Sequence, residues 1–154
     1  MNGNNSLRTF MKNIISLTLQ SDLIYNQIAS LIAGNVAGIF ANSAGASGNI
    51  AEFCHAFELS VSESFTNSVR YASSSIEEHQ VIINFSSNER ELTATVIDTN
   101  QQFNPQTKPP DITTYPEGGY GLFIINRLMD RVSYSRSEGK NILVISKHLD
   151  AVKN

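Results

Sequence analysis

Apolar and polar residues alternate in five short segments of the chain, which is the pattern of β-strands with one buried face. These segments are residues 13–19, 80–86, 91–98, 132–136 and 142–148. Polar turns at residues 87–89 and 138–140 join the last four segments in pairs. The pattern therefore predicts one strand near the start of the chain and two β-hairpins later in it.

Three other segments space their apolar residues as α-helices do. The first follows a capping residue, Ser21 or Asp22, and should run to about Phe40. Its apolar positions are Ile24, Ile28, Leu31, Ile32, Val36 and Ile39. The second covers residues 50–72, and the third covers residues 119–129. The spacing thus predicts three helices.

The second predicted helix carries one apolar stripe and a separate polar pair. The stripe is formed by Phe53, Phe57, Val61 and Phe65. Because successive helical residues turn by about 100°, Glu63 and Asn67 project well away from that stripe. They are four residues apart, so an acid and a carboxamide share one face of the helix.

Residues 99–117 separate the two hairpins and contain all four prolines of the chain. They show almost no periodicity, and irregular loops longer than about 12–15 residues are usually functional lids or linkers. Strands that follow helices and are joined as hairpins indicate an α+β fold. We expect a two-layer sandwich, with the helices on one face of a mixed, mainly antiparallel sheet.

Composition narrows the class of protein further. The 154 residues fit one domain, and a net charge of -3 with scattered Lys and Arg offers no basic surface for a nucleic-acid backbone. The longest apolar runs fall far short of the ~20 residues that span a bilayer, so we expect no membrane segment. The single Cys54 excludes an internal disulfide, and its neighbours favour a buried thiol over a nucleophile. The three histidines, His55, His79 and His148, lack the spacing of metal ligands.

A glycine-rich turn at Gly118, Gly119 and Gly121 opens the third predicted helix. Glycine lets backbone amides approach a ligand closely, and a helix N-terminus favours anions, so this turn is suited to holding phosphate. Taken alone, such a turn is usually only a turn, and an acid with a carboxamide on a helix is usually a solvated face. The two motifs in this order and spacing instead indicate a nucleotide site.

The two motifs resemble those of a known family. The order of elements is similar to the histidine-kinase-like (GHKL or Bergerat) ATPase fold of gyrase, the ninety-kilodalton heat-shock chaperone and sensor histidine kinases. Within it, residues 58–72 resemble the first signature of bacterial anti-sigma-factor serine/threonine kinases, and residues 117–130 resemble their glycine signature. The resemblance implies that residues 12–150 form the ATPase domain and that residues 1–11 are a flexible N-terminus.

The resemblance also implies roles for single residues. Glu63 would be the general base that accepts the proton of a substrate serine, and Asn67 would bind Mg2+ through its carboxamide oxygen. Asp98 would accept a hydrogen bond from the adenine amino group of ATP. The flanking positions that would complete the nucleotide site are Arg70, Asn100, Gly118, Gly119, Gly121 and Leu122.

The chain departs from the family pattern beside Asp98. The family usually has glycine two residues after this aspartate, where this chain has Asn100. Asparagine tolerates left-handed backbone better than other non-glycine residues, so we expect Asn100 to hold the turn. The threonine expected near the start of the last strand is also missing, and Asn141 is the nearest polar candidate to replace it.

Three functions are compatible with these residues. The first is a cytoplasmic, ATP- and Mg2+-dependent kinase that sequesters a sigma factor and phosphorylates a serine of a STAS-type antagonist protein. The second is a non-catalytic partner-switching protein with a degenerate nucleotide site. The third, a remnant of a histidine kinase, would need a phosphoacceptor helix before residue 12. Family behaviour implies a homodimer, and the strand at residues 13–19 is a possible edge for pairing.

Overall fold

The computed structural model describes residues 10–70, 72, 79–100 and 120–150. These residues form five strands, three α-helices and a short 3-10 helix, Leu23–Tyr25. The strands are β1 (Lys12–Gln20), β2 (Gln80–Ser87), β3 (Glu91–Asp98), β4 (Arg131–Ser137) and β5 (Lys140–His148). The α-helices are α1 (Asn26–Ser43), α2 (Ile50–Arg70) and α3 (Gly121–Leu128). Every predicted element is therefore present, with its ends shifted by a few residues.

The strands form one antiparallel sheet in the order β1-β2-β3-β5-β4. The two hairpins are confirmed, and the turn of the second places Glu138 and Gly139 at positive φ. The expected α+β fold is confirmed, although the pairings of the described strands are all antiparallel rather than mixed. Because β3 pairs with β5, Asp98 lies opposite Asn141. This register brings the end of one strand and the start of the other together.

The core lies between the sheet and α2. The predicted stripe of α2 is confirmed, since Phe53, Phe57, Val61 and Phe65 are all buried. Apolar side chains of β2, β3 and β5 complete this core, among them Ile83, Phe85, Leu92 and Ile145. The polar pair on α2 is thereby turned toward α3, which also packs on this helix.

Helix α1 packs against α2 largely through small residues and, near its end, through Phe40, whose ring centroid lies 6.1 Å from that of Phe53 on α2. Its buried positions include Ala29, Ala33, Gly34, Ala37 and Ala41. The apolar residues whose spacing predicted the helix lie mostly outside, and the exposed ones are Ile24, Ile28, Leu31 and Ile39. Small side chains let two helices approach closely. The side of α1 that carries the alanines is therefore the side buried against α2.

One result differs from the expectation about membrane segments. Leu23–Ser43 is long and apolar enough to cross a membrane by length and composition, with a mean hydropathy of 1.4. A core helix of a soluble protein passes the same test, and α1 does contribute seven residues to the buried part of the fold. The exposed isoleucines and leucine of α1 account for much of this hydropathy.

The segment predicted as a lid lies almost entirely outside the described residues. The described part of it is Thr99 and Asn100, and the chain is described again from Tyr120. Gly118 and Gly119 of the glycine-rich turn also lie outside, as does the predicted N-terminal segment up to residue 9. The structure describes the other predicted site residues, which are Glu63, Asn67, Arg70, Asp98, Asn100, Gly121, Leu122 and Asn141.

Candidate functional site

Glu63, Asn67 and Gly121 lie together where α3 begins beside α2. A Cβ added to Gly121 would stand 2.8 Å from Oε2 of Glu63 and 3.2 Å from Nδ2 of Asn67. Real Cβ atoms essentially never come as close as the first of these distances. The two predicted motifs, 54 residues apart in the chain, thus meet in space, and only glycine leaves their meeting point open.

Helix α3 is held in this place by its apolar side. Ile125 is fully buried in the core, and Leu122 packs against the core while half-buried. No side chain caps the start of the helix, where Tyr120 is the N-cap residue. Backbone N–H groups of an uncapped first turn attract anions. The first turn of α3, which contains Gly121, therefore offers an anion-binding position next to Glu63 and Asn67 on α2.

Asp98 forms a second group of polar residues at the end of β3. Its carboxylate is 7% exposed and accepts hydrogen bonds at both oxygens. Oδ1 accepts from the backbone N–H of Asn100 at 2.9 Å and from Nδ2 of Asn141 at 2.8 Å. Oδ2 accepts from Oγ of Ser68 at 2.8 Å. Because Ser68 directly follows Asn67 on α2, this bond ties the two groups of residues into one site.

Asn100 holds the turn after Asp98, but not for the reason expected from the sequence. Among the described non-glycine residues, only Glu138 has a positive φ, so Asn100 does not adopt left-handed backbone. Its backbone N–H instead bonds to Asp98, and its side chain donates to the carbonyl oxygen of Ser68. The buried carboxamide thus fixes the turn against α2, which a glycine could not do.

Asn141 lies beside Asp98, at the position where we expected it to replace the missing threonine. It is 2% exposed, and its Oδ1 accepts hydrogen bonds from the hydroxyl of Tyr134 and from Nη1 of Arg136, both at 2.7 Å. Arg136 also donates to the carbonyl oxygen of Asn100 at 2.8 Å. The site therefore includes side chains from both strands of the second hairpin.

Sequence reasoning missed three residues of this network: Ser68, Tyr134 and Arg136. A signal for two of them was present in the predicted second hairpin. A turn at residues 138–140 sets the pairing of its strands, and Arg136 pairs directly with Asn141. Tyr134 lies on the same face as Arg136, because side chains alternate along a strand. Ser68 was within the first motif but offered no signal of its own.

Arg70 lies apart from these contacts in the described structure. It is exposed in the last turn of α2, just before a segment outside the described residues. Its expected role in nucleotide binding rests on the resemblance alone. The roles of Gly118 and Gly119 rest on it as well, since both lie outside the described part of the chain.

The described residues could help to bind one Mg2+ ion together with a phosphate, but they lack the ligands of a metal site formed by the protein alone. Among them, no group of three His, Cys, Asp or Glu residues could hold an ion. Glu63 and Asn67 nevertheless offer oxygen atoms, which Mg2+ prefers, beside an opening that a Cβ at Gly121 would fill. The donor set is therefore compatible with Mg2+ bound together with nucleotide phosphates.

Cys54 lies on the side of α2 that meets α1, whereas His79 lies beside the site, with its Nδ1 3.4 Å from Oγ1 of Thr99, the residue that follows Asp98. Burial, and secondarily the nearby Glu58 carboxylate, raise the pKa of the Cys54 thiol, which opposes a nucleophilic role. His148 contacts Asp130, with 3.5 Å between Nδ1 and Oδ2, and His55 contacts Glu58. Both contacts lie at the surface, with side chains 39–67% exposed.

The antiparallel sheet, the helices packed on it and the order of the two motifs define the class of histidine-kinase-like domains. The sequence pattern of the family described as histidine kinase-like ATPase domain matches residues 31–147. This match covers both motifs and all described site residues, and the chain belongs to this family. The resemblance noted from the two motifs is thereby confirmed.

Curated relatives of the chain carry the name serine-protein kinase RsbW. The protein from Listeria innocua serovar 6a is 30% identical over 102 residues, which are 60% of this chain and 64% of the relative. The protein from Bacillus velezensis is 28% identical over 102 residues, which are 60% of this chain and 63% of the relative. The chain thus matches less than two thirds of the length of these relatives.

Proposed function

We propose that this protein is an anti-sigma-factor serine kinase of the partner-switching type. It binds ATP with Mg2+, sequesters a sigma factor, and phosphorylates a serine of a small STAS-type antagonist. The proposal is supported most directly by the approach of Gly121 to Glu63 and Asn67, which joins a candidate base and a candidate metal ligand to a phosphate-binding helix start. Membership of the ATPase family and the names of the relatives favour the same function.

In this proposal each residue of the candidate site has its own role. Glu63 accepts the proton of the attacking serine hydroxyl, and the start of α3 binds the nucleotide phosphates with backbone N–H groups. Asn67 holds Mg2+, which when bound neutralises charge on the phosphates during transfer. Asp98 accepts a hydrogen bond from the base of the nucleotide. Leu122 and Ile125 keep α3 at the distance from α2 that these tasks require.

Two variants test the kinase proposal separately from nucleotide binding. Calorimetry with Mg-ATP should show binding by the natural chain and its loss in Asn67→Ala. Glu63→Gln keeps the shape of the side chain but removes its basic oxygen. It should therefore retain binding while phosphate transfer to a STAS-domain protein falls by about 10²–10⁴-fold. Equal transfer by the natural chain and Glu63→Gln would contradict the proposed base.

A second function is favoured by the network around Asp98. The carboxylate already accepts three hydrogen bonds within the chain, and the buried Asn100 replaces the usual glycine. Both features are compatible with a partner-switching protein that has lost ATP and works through protein contacts alone. Absence of Mg-ATP binding up to millimolar concentration would favour this function, whereas micromolar binding would exclude it.

The proposed partners include a second copy of the chain. Strand β1 is an edge strand, with Ile14 and Ile15 more than 40% exposed. Ile24, Ile28, Leu31 and Ile39 form what we call the α1 apolar face, which is also exposed. Several large apolar side chains exposed along one helix and the 3-10 turn before it favour an interaction site. We therefore propose a cytoplasmic homodimer that uses this face and the β1 edge.

A further inference from the structure

A lysine lies on the inner face of the sheet, where its neighbours are apolar. Side chains alternate along a strand, so Lys147 points to the same side of β5 as Leu143 and Ile145, which are buried in the core. Its partner across the sheet on β3 is Leu92, which is also buried. Lysine is rarely buried without a partner. The Lys147 side chain is only 24% exposed, so its ammonium group needs a partner within the fold.

That partner is the C-terminal end of α3. Nζ of Lys147 donates a hydrogen bond to the carbonyl oxygen of Leu128, the last residue of the helix, at 2.8 Å. The carbonyl groups of a last turn have no partner within the helix, and their partial negative charge favours a cation there. Nζ also lies 3.7 Å from Oδ1 of Asp130. Lys147 thus caps the end of α3 and joins it to β5.

The backbone beside Lys147 holds the turn that follows the helix. The backbone N–H of Asp130 donates to the carbonyl oxygen of Ser146 at 3.0 Å, and Oδ2 of Asp130 accepts from the backbone N–H of His148 at 2.7 Å. These bonds fix the residues after α3, whereas the Lys147 side chain holds the helix itself. Three hydrogen bonds therefore connect α3 and its following turn to β5.

The opposite end of α3 depends on this connection. The helix has eight residues, and helices this short are marginal without tertiary contacts. No side chain caps its first turn, and its buried residue is Ile125, near the middle. Leu128 lies about 10 Å along the axis from Gly121, so a rotation of α3 about its buried middle would move both ends. Holding the last turn in place therefore also holds Gly121 against Glu63 and Asn67.

We propose that Lys147 is a positioning residue, which keeps the phosphate-binding start of α3 against Glu63 and Asn67 by holding the other end of the helix. This inference rests on the proposed function, because it concerns the same phosphate-binding turn. The ammonium group contacts the last turn of α3, at the far end from the phosphates, so it acts through the helix. Without this hydrogen bond, the first turn of α3 is held less firmly in the position that phosphate requires.

The test measures Mg-ATP affinity by calorimetry in the natural chain and in three variants. Lys147→Met keeps the length and the apolar stem of the side chain but removes its donors. We expect it to bind Mg-ATP about tenfold more weakly. Lys147→Arg can still donate to the carbonyl oxygen and should bind nearly as tightly as the natural chain. Lys12→Met, the same change at an exposed lysine of β1, is the matched control and should leave the affinity unchanged.

Adenosine separates positioning from a general loss of structure. It carries no phosphate, so its affinity, measured by competition with Mg-ATP, should be the same in Lys147→Met as in the natural chain. Urea unfolding of the same samples reports their stability. A lower free energy of unfolding with unchanged Mg-ATP affinity would assign Lys147 a merely structural role and overturn the inference. An equal loss of Mg-ATP and adenosine affinity, or a failure of Lys147→Arg to restore binding, would also overturn it.

The outcomes separate this inference from the proposed function. Mg-ATP binding that weakens in Lys147→Met, without phosphate transfer to a STAS-domain protein by the natural chain, would reject the kinase and leave the inference standing. Phosphate transfer by the natural chain, together with unchanged Mg-ATP affinity in Lys147→Met, would do the reverse. If the natural chain binds no Mg-ATP, the inference is overturned and the non-catalytic function remains.

Discussion

Gly121 is the residue on which the geometry of the site depends most. Its backbone passes so close to α2 that an added Cβ would stand 2.8 Å from the Glu63 carboxylate. In Gly121→Ala the polar pair must shift to admit the methyl group. Because displacements of about 1 Å in an active site cost about 10²-fold, we expect phosphate transfer to fall by about that factor. Thermal stability should change little, because the atoms in the way are the ends of two side chains, Glu63 and Asn67, rather than backbone.

Gly38→Ala provides the matched control for this prediction. Gly38 lies within α1, and a Cβ there would meet only Sγ of Cys54, at the ordinary contact distance of 3.4 Å. The same chemical change should therefore leave ATP binding and transfer unaltered. Parallel assays of both variants by calorimetry and transfer kinetics check the difference. Unimpaired transfer by Gly121→Ala would contradict the assignment of this contact to the catalytic site.

Cys54 should react slowly with alkylating reagents in the folded protein. Burial, and then the charge of Glu58, raise the pKa of its thiol, so the reactive thiolate is scarcer than in an ordinary cysteine. We expect the rate of iodoacetamide labelling at pH 8 to be lower than in the unfolded chain, and to rise with pH. Glu58→Gln removes the charge and should increase the rate in the folded state.

The same shift of the Cys54 pKa has a consequence for stability. The folded state keeps the thiol proton to a higher pH than the unfolded chain, in which the cysteine pKa is about 8.5. This contribution is complete below that pH and is lost as the pH rises past it. Labelling of the folded protein as fast as that of the unfolded chain would contradict the raised pKa.

Single residues of the site differ in how far the sequence could predict them. Glu63, Asn67 and Gly121 were predictable because their motifs are long and their order is informative. Asn141 was predictable only as the nearest polar residue, and its bond to Asp98 required the register of β3 and β5. For Asn100 the expected left-handed backbone was wrong, because a backbone rule cannot anticipate a side chain that bonds to the backbone of α2.

At the scale of elements, the contact between α1 and α2 depends on glycine in one helix and glutamate in the other. A Cβ added to Gly34 would overlap the Glu58 side chain, with its Cγ only 2.5 Å away. In Gly34→Ala, Glu58 must leave its preferred conformation, at a cost of about 1 kcal/mol. We therefore expect Gly34→Ala to be less stable than Gly38→Ala by about that amount, as measured by urea unfolding.

A double-mutant cycle identifies the source of this difference. In a Glu58→Ala background the obstructing side chain is gone, so Gly34→Ala and Gly38→Ala should have equal effects on the free energy of unfolding. A difference that persists in this background would place the cost in the helix backbone rather than in Glu58. The measurement thus tests whether the two helices approach each other as closely as the structure shows.

For helix α1, the sequence predicted where the helix lies but not which of its faces is buried. Apolar periodicity is a local signal, and so is Asp22, which caps the short 3-10 helix leading into α1 by accepting a hydrogen bond from the Ile24 backbone N–H at 3.0 Å. Which face is buried depends on the partner, because close packing on α2 requires small residues. Large apolar residues on the other face have the same period, so sequence alone favours them. For α2 the large residues are also the buried ones, and the prediction of its face was confirmed.

At the scale of the whole molecule, the exposed α1 apolar face predicts self-association. Ile24 is 70% exposed and Leu31 is 52% exposed, which is costly for side chains of this type in water. In a twofold interface the same residues contribute from both copies. Replacing Ile28 and Leu31 by glutamate therefore removes four apolar side chains. Both side chains are already about half buried, so their burial in the interface is worth about 1 kcal/mol each, which is roughly 4 kcal/mol in all, or about three orders of magnitude in Kd.

Analytical ultracentrifugation should accordingly show a dimer for the natural chain at tens of micromolar and a monomer for the variant that combines Ile28→Glu and Leu31→Glu. The matched control is Ser133→Glu, which adds charge to an exposed position of β4 at the other edge of the sheet and should leave the dimer intact. Far-ultraviolet circular dichroism should be unchanged in both, because none of these positions is buried. A natural chain that is monomeric in solution but sediments with phospholipid vesicles would contradict the proposed dimer. It would assign the α1 apolar face to a membrane surface, in agreement with the hydropathy of this helix.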